Sequence, residues 1–344
     1  MDNNKNILAY GALFIVCIVW GTTYFAIRIG VETFPPFLFA AIRQVIAGGT
    51  LLLGLKLTGN LNMNKSDFLY QSVPGVLMVA LGNGVIGWCE RYISSGLAAL
   101  ILSLIPVFVV VISYLFGFDR RKPHLLIIVG LALGCLGIVL IFRDNLKDIA
   151  NPAYFTGMLI AFGACLAWAS GSVFAKYKIP NSKNVLQNAA LQLFSGGIAL
   201  FVFSVFLDDY SELKTVTTSS IWALVYLIIV GSIIAYSAFV YALKHLPIGI
   251  SSLYAYINPF IAIMLGFLFL NEKLTGITLW ALVATLSGVY CVNSGYQKMA
   301  KKFTDSCRYA IYAALCKLHL VDCCGFAARY YLHRKRIKWC SLFA

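Results

Sequence analysis

The stretch 96–139 of this chain recurs as a pattern at 249–292. Gly96 and Gly249, Leu100 and Leu253, Pro106 and Pro259, Asp119 and Glu272, and Arg120 and Lys273 all match at one offset, 153. A shared leucine carries little weight in an apolar chain, whereas Gly, Pro and a charged pair in register carry much. The match continues outside that stretch. Trp20 and Trp168 lie 148 apart, each eight residues before a cation, Arg28 or Lys176. Arg43 with Ala47-Gly48 faces Gln192 with Gly196-Gly197 at 149, while Asn83, Trp88 and Arg91 face Tyr236, Tyr241 and Lys244 at 153. The chain is an internal duplication.

Each copy is built of long apolar runs. Hydrophobic residues make up 60% of the 344 and charged residues 12%, against about 25% charge in a soluble domain. About 20 apolar residues cross a bilayer core of about 30 Å. By that rule the chain holds ten spans, roughly 7–28, 35–57, 68–90, 94–117, 123–142, 155–177, 185–207, 219–243, 248–270 and 274–294. All should be helices, because a lipid-embedded backbone must satisfy its own hydrogen bonds. Five spans per copy is an odd number, so the second copy enters the membrane from the opposite side. The expected fold is an all-α membrane protein with ten transmembrane helices in two inverted five-helix repeats. That is an architecture of secondary transporters, with the solute near the midplane between the halves.

The net charge of +14 does not imply nucleic acid, because of where the charge lies. Residues 297–344 carry ten Lys/Arg and two Asp, a surplus of +8 in a basic tail. Cytoplasmic loops and anionic lipid headgroups select for such residues. With the N-terminus inside, the inner loops hold ten cations and the outer loops six. The expected location is the cell membrane, multi-pass, with both termini cytoplasmic. The ten cysteines show no metal-ligand spacing, so no metal or other cofactor is expected.

At these residues a family resemblance becomes visible. Ile18–Arg28 (I-V-W-G-T-T-Y-F-A-I-R) resembles the first-helix signature of EamA-type members of the drug/metabolite transporter superfamily. Pro36 with Arg43 is similar to its second helix. Arg91-Tyr92 through Gly96-Leu97-Ala98-Ala99-Leu100 to Pro106 is similar to its third-to-fourth junction. Leu246-Pro247 through Gly249 and Pro259 to Asn271-Glu272-Lys273-Leu274 is similar to its ninth-to-tenth. The sequence departs from the pattern at Asp119, where the family usually has Glu, and at Trp168-Ala169, where span 1 has Trp20-Gly21. The resemblance implies export or exchange of small metabolites, often amino acids or drugs. It also implies this division: 1–6 cytoplasmic N-terminus, 7–142 first EamA-like repeat, 143–154 linker, 155–295 second EamA-like repeat, 296–344 basic cytoplasmic tail.

Several residues are candidates for solute contact. Arg43 stands about 12 Å into its helix from Pro35 at 1.5 Å per residue. An intramembrane Arg normally faces a cavity or a partner. It either attracts a solute carboxylate or phosphate, or snorkels outward toward Glu32. Trp20 and Tyr24 share one face of span 1 with Thr23 beside them, and Trp168 and Ser172 repeat the spacing in span 6. Aromatic walls with a few hydroxyls suit small amphipathic solutes, and equally suit packing. Asn83 matches Tyr236, and Trp88 matches Tyr241; an amide so deep in the membrane needs partners, so Asn83 either bonds the solute or staples two helices. Pro106 and Pro259 are expected as hinges, each removing one helical hydrogen bond, with Tyr256 and Asn258 around the second.

No P-loop, H-E-x-x-H or G-x-S-x-G is present, which disfavours ATP-driven pumping and embedded hydrolase chemistry. No Asp or Glu lies mid-span, Glu90 sitting at a helix end, so coupling through a central carboxylate is not expected. The chain reads as a secondary transporter, exporter or exchanger, of amino acids or related amphipathic compounds by alternating access, and not as an enzyme. Alternatives are a multidrug or cationic-compound exporter, a membrane-embedded enzyme or structural protein, and, more weakly, a channel. Its expected partners are a small-molecule substrate and the bilayer, with no nucleic acid, as a monomer or homodimer.

Overall fold

The computed structural model describes residues 3–118, 124–144, 151–179, 184–252, 254–270 and, apart from single positions, 275–299. The charged turns Asp119-Arg120 and Glu272-Lys273 and the tail beyond residue 299 lie outside the described residues. Nine helices are named in chain order. They are α1 (Asn3–Val31), α2 (Pro36–Leu57), α3 (Lys65–Cys89), α4 (Ser95–Leu115), α5 (Leu125–Asp144), α6 (Pro152–Lys178), α7 (Val185–Leu207), α8 (Thr218–His245) and α9 (Ile248–Phe269). Among the described residues eight helices, all of these but α5, are long and apolar enough to cross a membrane. The 20-residue α5 stands where the fifth span is expected. The tenth falls on 275–299, whose described residues are mostly helical. No strand occurs among the described residues.

Helix starts follow ordinary capping chemistry. Asn64 accepts from Asp67 N–H at 2.7 Å while Asp67 accepts from Asn64 N–H at 3.2 Å, a reciprocal capping box on α3. α2 opens on Pro36 with no cap of its own. Asp208, from the end of α7 in the other repeat, fills the vacancy by accepting from Phe37 N–H (3.2 Å) and Leu38 N–H (2.7 Å). Its negative charge suits the free donors of a helix N-terminus.

Two of the long helices change winding part-way. α3 is a π-helix over Gly75–Gly84 and α8 over Leu227–Ile234, at matching places in the two repeats. Two others are interrupted. α4 breaks at Ser103-Leu104, so that Pro106 stands in the first turn of its second half. In α9 the break is not at Pro259. The helix runs Ile248–Ser251, resumes at Tyr254, and carries Pro259 inside a continuous stretch. At both breaks a serine hydroxyl bonds back to its own helix, Ser103 Oγ donating to Leu100 O at 2.6 Å and Ser252 Oγ to Ile248 O at 2.7 Å, which competes mildly with the helical ladder. In α4 Pro106, which has no N–H and crowds the carbonyl four residues back, adds to the break.

The repeats interlock reciprocally. α1 packs on α8 and α9 as α6 packs on α3 and α4, while α2 pairs with α7 and α4 with α9. At the α2–α7 crossing a Cβ added to Gly48 would stand 2.5 Å from Phe194 N, and one added to Gly197 would stand 2.8 Å from Val45 N. Val45 and Phe194 are themselves duplication mates at offset 149. The two contacts are one contact seen twice, across a pseudo-two-fold axis. The small faces of α5 and the last span are likewise used inside the chain, Gly130 against Gly288 and Gly137 against Thr285. Large apolar side chains such as Phe14, Leu53, Phe206 and Trp222 remain exposed, as lipid-facing positions require.

Candidate functional site

Aromatic rings from both repeats meet in the middle of the bundle. Trp20 of α1 is the hub. Its ring centroid lies 5.3 Å from Trp168 (α6), 5.1 Å from Phe239 (α8), 4.8 Å from Tyr254 (α9) and 6.3 Å from Tyr236 (α8). Trp168 and Tyr254 each also pack on Phe239, both at 5.5 Å. All five side chains are buried. Trp20 stands edge-to-face at 86° to Trp168 and 85° to Tyr254, an arrangement ring quadrupoles favour, and tilted to Tyr236 and Phe239. The rings touch one another, so a solute enters among them only when the helices part.

A polar layer surrounds the rings, and it too is duplicated. Arg43 is 4% exposed. Its Nη1 donates to Asn83 Oδ1 (3.3 Å) and its Nε to Ser232 Oγ (2.9 Å), whose hydroxyl donates on to Gln44 Oε1 (3.0 Å). In the other half Tyr236 OH donates to Gln192 Oε1 (2.8 Å) and Gln192 Nε2 to Gln71 Oε1 (2.7 Å). Arg43–Asn83 and Gln192–Tyr236 are therefore the same contact in the two copies, with the cation kept in one only. Both π-segments serve this layer: Asn83 closes the first and Ser232 lies in the second. Gly231, also in the second, accepts the Trp20 Nε1 hydrogen at 3.1 Å on its carbonyl. π-Turns inside α-helices are rare and frequent at functional sites.

The remaining expected residues are placed as follows. Thr23 is buried and donates to Trp20 O in its own helix at 2.8 Å. Ser172 donates to Met78 Sδ at 3.4 Å. Tyr24 is buried beside the Asn258 amide. That amide, with its nitrogen turned inward, donates to Tyr254 O (2.9 Å) and Cys17 O (3.2 Å). Tyr256 is buried with its hydroxyl unbonded, and no well-formed hydrogen bond reaches Trp168 Nε1 or Tyr254 OH. Trp88 and Tyr241 pack instead on rings of their own repeat, Trp88 on Tyr92 in the turn after α3 at 4.7 Å and Tyr241 on His245 at the end of α8 at 4.1 Å, both tilted. Reasoning from sequence did not single out Phe239, Ser232, Gln44 or Gln71. Only the polar residues among them carry a visible signal, a polar side chain inside an apolar run. Glu90 is a correction of a different kind. It stands at a helix end, as read, but it is 0% exposed, so the bundle does hold a buried carboxylate.

The two ends of the bundle are held differently. At one end Arg91 donates to Val31 O (3.1 Å) and Phe34 O (2.9 Å) of the α1–α2 turn and forms a two-pronged ion pair with Glu212 of the other repeat. At the other end Lys176 Nζ donates to the carbonyls of Leu243 (2.7 Å), Lys244 (3.2 Å) and Leu246 (2.8 Å). A cleft opens there whose polar lining is Lys176, Lys244, Asn188 and Gln192, the last being the residue that accepts from Tyr236 OH. Lys176→Met should lower stability by about 1.5–3 kcal/mol, because three carbonyls at the α8 terminus lose a charged donor. Lys176→Arg should restore only part of it, since a planar fork does not reproduce three rotatable donors. Thermal unfolding of the two variants in detergent checks both.

The model of the EamA-like transporter family matches residues 7–143 and 155–294. The chain belongs to that family. It is 34% identical over 290 residues to the inner membrane transporter YedA of Escherichia coli K12, covering 83% of this chain and 90% of that one. It is 31% identical to protein PecM of Dickeya dadantii over 277 residues, covering 80% and 88%. It is also 24% identical over 296 residues to a probable amino-acid metabolite efflux pump of E. coli K12, covering 80% and 91%. A solved crystal structure superposes with a TM-score of 0.62 at 17% identity, over 85% of this chain and 98% of that one, a likeness of fold alone. The chain is thus a membrane transporter of the EamA type, and the ring cluster with its polar layer lies where the two repeats meet.

Proposed function

We propose that the chain exports or exchanges small amphipathic metabolites, amino acids or related compounds, by alternating access through the ring cluster. The observation that carries this is the cluster itself: Trp20 from one repeat and Trp168, Phe239, Tyr236 and Tyr254 from the other close the space between halves that must move apart. Similarity to a probable amino-acid metabolite efflux pump supports the substrate class. In this reading both termini are cytoplasmic, so the cleft beside Lys176 faces the cytoplasm and the Arg91–Glu212 pair closes the outer end. The small molecule and the bilayer are its partners, and it does no covalent chemistry.

The experiment is counterflow in proteoliposomes with a panel of amino acids, nucleosides and cationic drugs, preceded by thermal shift on the same protein. A ligand that binds the folded state raises its melting temperature by mass action. Exchange of at least one amino acid is the expected result. Exchange of cationic drugs with none of amino acids would move the function to multidrug export.

A further inference from the structure

The duplicated polar contact is uneven in charge, and the unevenness points to a ligand. Arg43 is buried inside a membrane helix, where a full charge is expensive and normally paired or functional. Among the described residues its partners are neutral: Ser232 Oγ, Asn83 Oδ1 and, on the Nη2 side, the bare Cα of Gly231, where an added Cβ would stand 3.2 Å from Nη2. At the same place in the other repeat the protein manages with Gln192, so the contact does not need a cation to hold the helices. The guanidinium reaches the ring cluster's surroundings through Gly231. Gly231 is the residue whose carbonyl holds Trp20 Nε1, and its added Cβ would stand 3.1 Å from Thr23. Among the described residues, the polar lining of the cleft at the Lys176 end is two lysines and two amides.

We infer that the transported solute carries a carboxylate and that Arg43 is the residue that recognises it, the solute's apolar part lying among the rings. A guanidinium presents paired donors matched to a carboxylate, and among the described residues Ser232 and Asn83 take only Nε and Nη1, fixing the fork while Nη2 lies beside Gly231. A monoanion neutralises the charge when bound. A solute with an amine alone would bring a second positive charge beside the first. The inference rests on the ring cluster being the transport site, and it assigns that site an anionic end and an apolar end.

Four probes with the same phenyl ring test it: phenylalanine, phenylalaninamide, phenethylamine and 3-phenylpropionate. Full-length protein is examined by thermal shift in detergent and by counterflow in liposomes. The two acids are expected to stabilise and exchange, and the amide and the amine not to. Arg43→Gln should weaken apparent affinity for the acids about tenfold or more, the loss expected of a charge-assisted bond, and Arg43→Lys should keep part of it. Should Arg43→Gln fold poorly, Ser232→Ala leaves the charge but frees the fork, and should narrow the acid-to-amide ratio. An amide or amine handled as well as the acids, or variants that reduce all four probes alike, would overturn the carboxylate assignment while leaving transport at the cluster standing. A well-folded protein that responds to none of the four overturns both.

Discussion

Gly48→Ala should lower the melting temperature by on the order of 10 °C and sharply reduce the yield of monodisperse protein. The added methyl carbon would stand 2.5 Å from Phe194 N and 2.9 Å from both Ala190 O and Phe194 Cα. All three are backbone atoms of α7, so the only relief is to push two helices apart along their closest crossing. Overpacking costs about 1–3 kcal/mol where side chains can adjust, and here none is available to adjust. Gly49→Ala is the control. Nothing lies within 4 Å of its added Cβ, so it should stay within about 0.5 kcal/mol of the parent. Thermal unfolding followed by tryptophan fluorescence or size-exclusion decides the matter. Equal melting temperatures for the two variants would mean that α2 and α7 do not cross where described.

Trp20→Ala should reduce solute exchange to background. It deletes four ring contacts and the hydrogen bond to Gly231 O in one step. Emptying a packed tryptophan site costs about 3–5 kcal/mol, so part of the loss will be in folding. Trp20→Phe separates the two effects. It keeps a ring beside Trp168, Phe239 and Tyr254 but gives up the N–H, which should cost about 1 kcal/mol of stability. If the cluster is the transport site, counterflow with Trp20→Phe falls well below the parent at nearly unchanged melting temperature. Parental flux in Trp20→Ala would remove the cluster from the pathway altogether.

Much of this architecture was legible in the residues. Runs of about 20 apolar residues announce helices because lipid permits little else, and offsets of 148, 149 and 153 match the spans of one copy to those of the other. The offsets match Arg43 with Gln192 and Asn83 with Tyr236, but only the structure joins Arg43 to Asn83 and Gln192 to Tyr236 as one contact made in both copies. Trp88 and Tyr241 show the limit of that reasoning. They are true mates, and each packs on a ring that follows it in its own repeat, Tyr92 in the turn after α3 and His245 at the end of α8. An offset says that two residues correspond, not which way they face. The π-segments were invisible for a related reason. Gly75–Gly84 reads G-V-L-M-V-A-L-G-N-G, apolar nearly throughout, and a stretch without alternation cannot reveal whether it winds at 3.6 residues per turn or more. Phe239 was one phenylalanine among 24. Glu90 was missed because a helix end in sequence need not be an end at the surface when a neighbouring repeat covers it.

The close approach of backbones at the α2–α7 crossing also bears on how the protein can evolve. At Gly84 the three atoms nearest an added Cβ belong to the Leu200 side chain, the first at 2.3 Å. A change there is open to repair elsewhere in the gene: Gly84→Ala should be rescued by Leu200→Ala, which makes the room the first substitution needs. At Gly48 and Gly197 the nearest obstacles include main-chain atoms, which no codon can trim. A suppressor screen should therefore return second-site revertants for Gly84 and only true revertants for Gly48. Those two glycines mark where the duplicated gene has lost the freedom to drift, because each copy is the wall of the other.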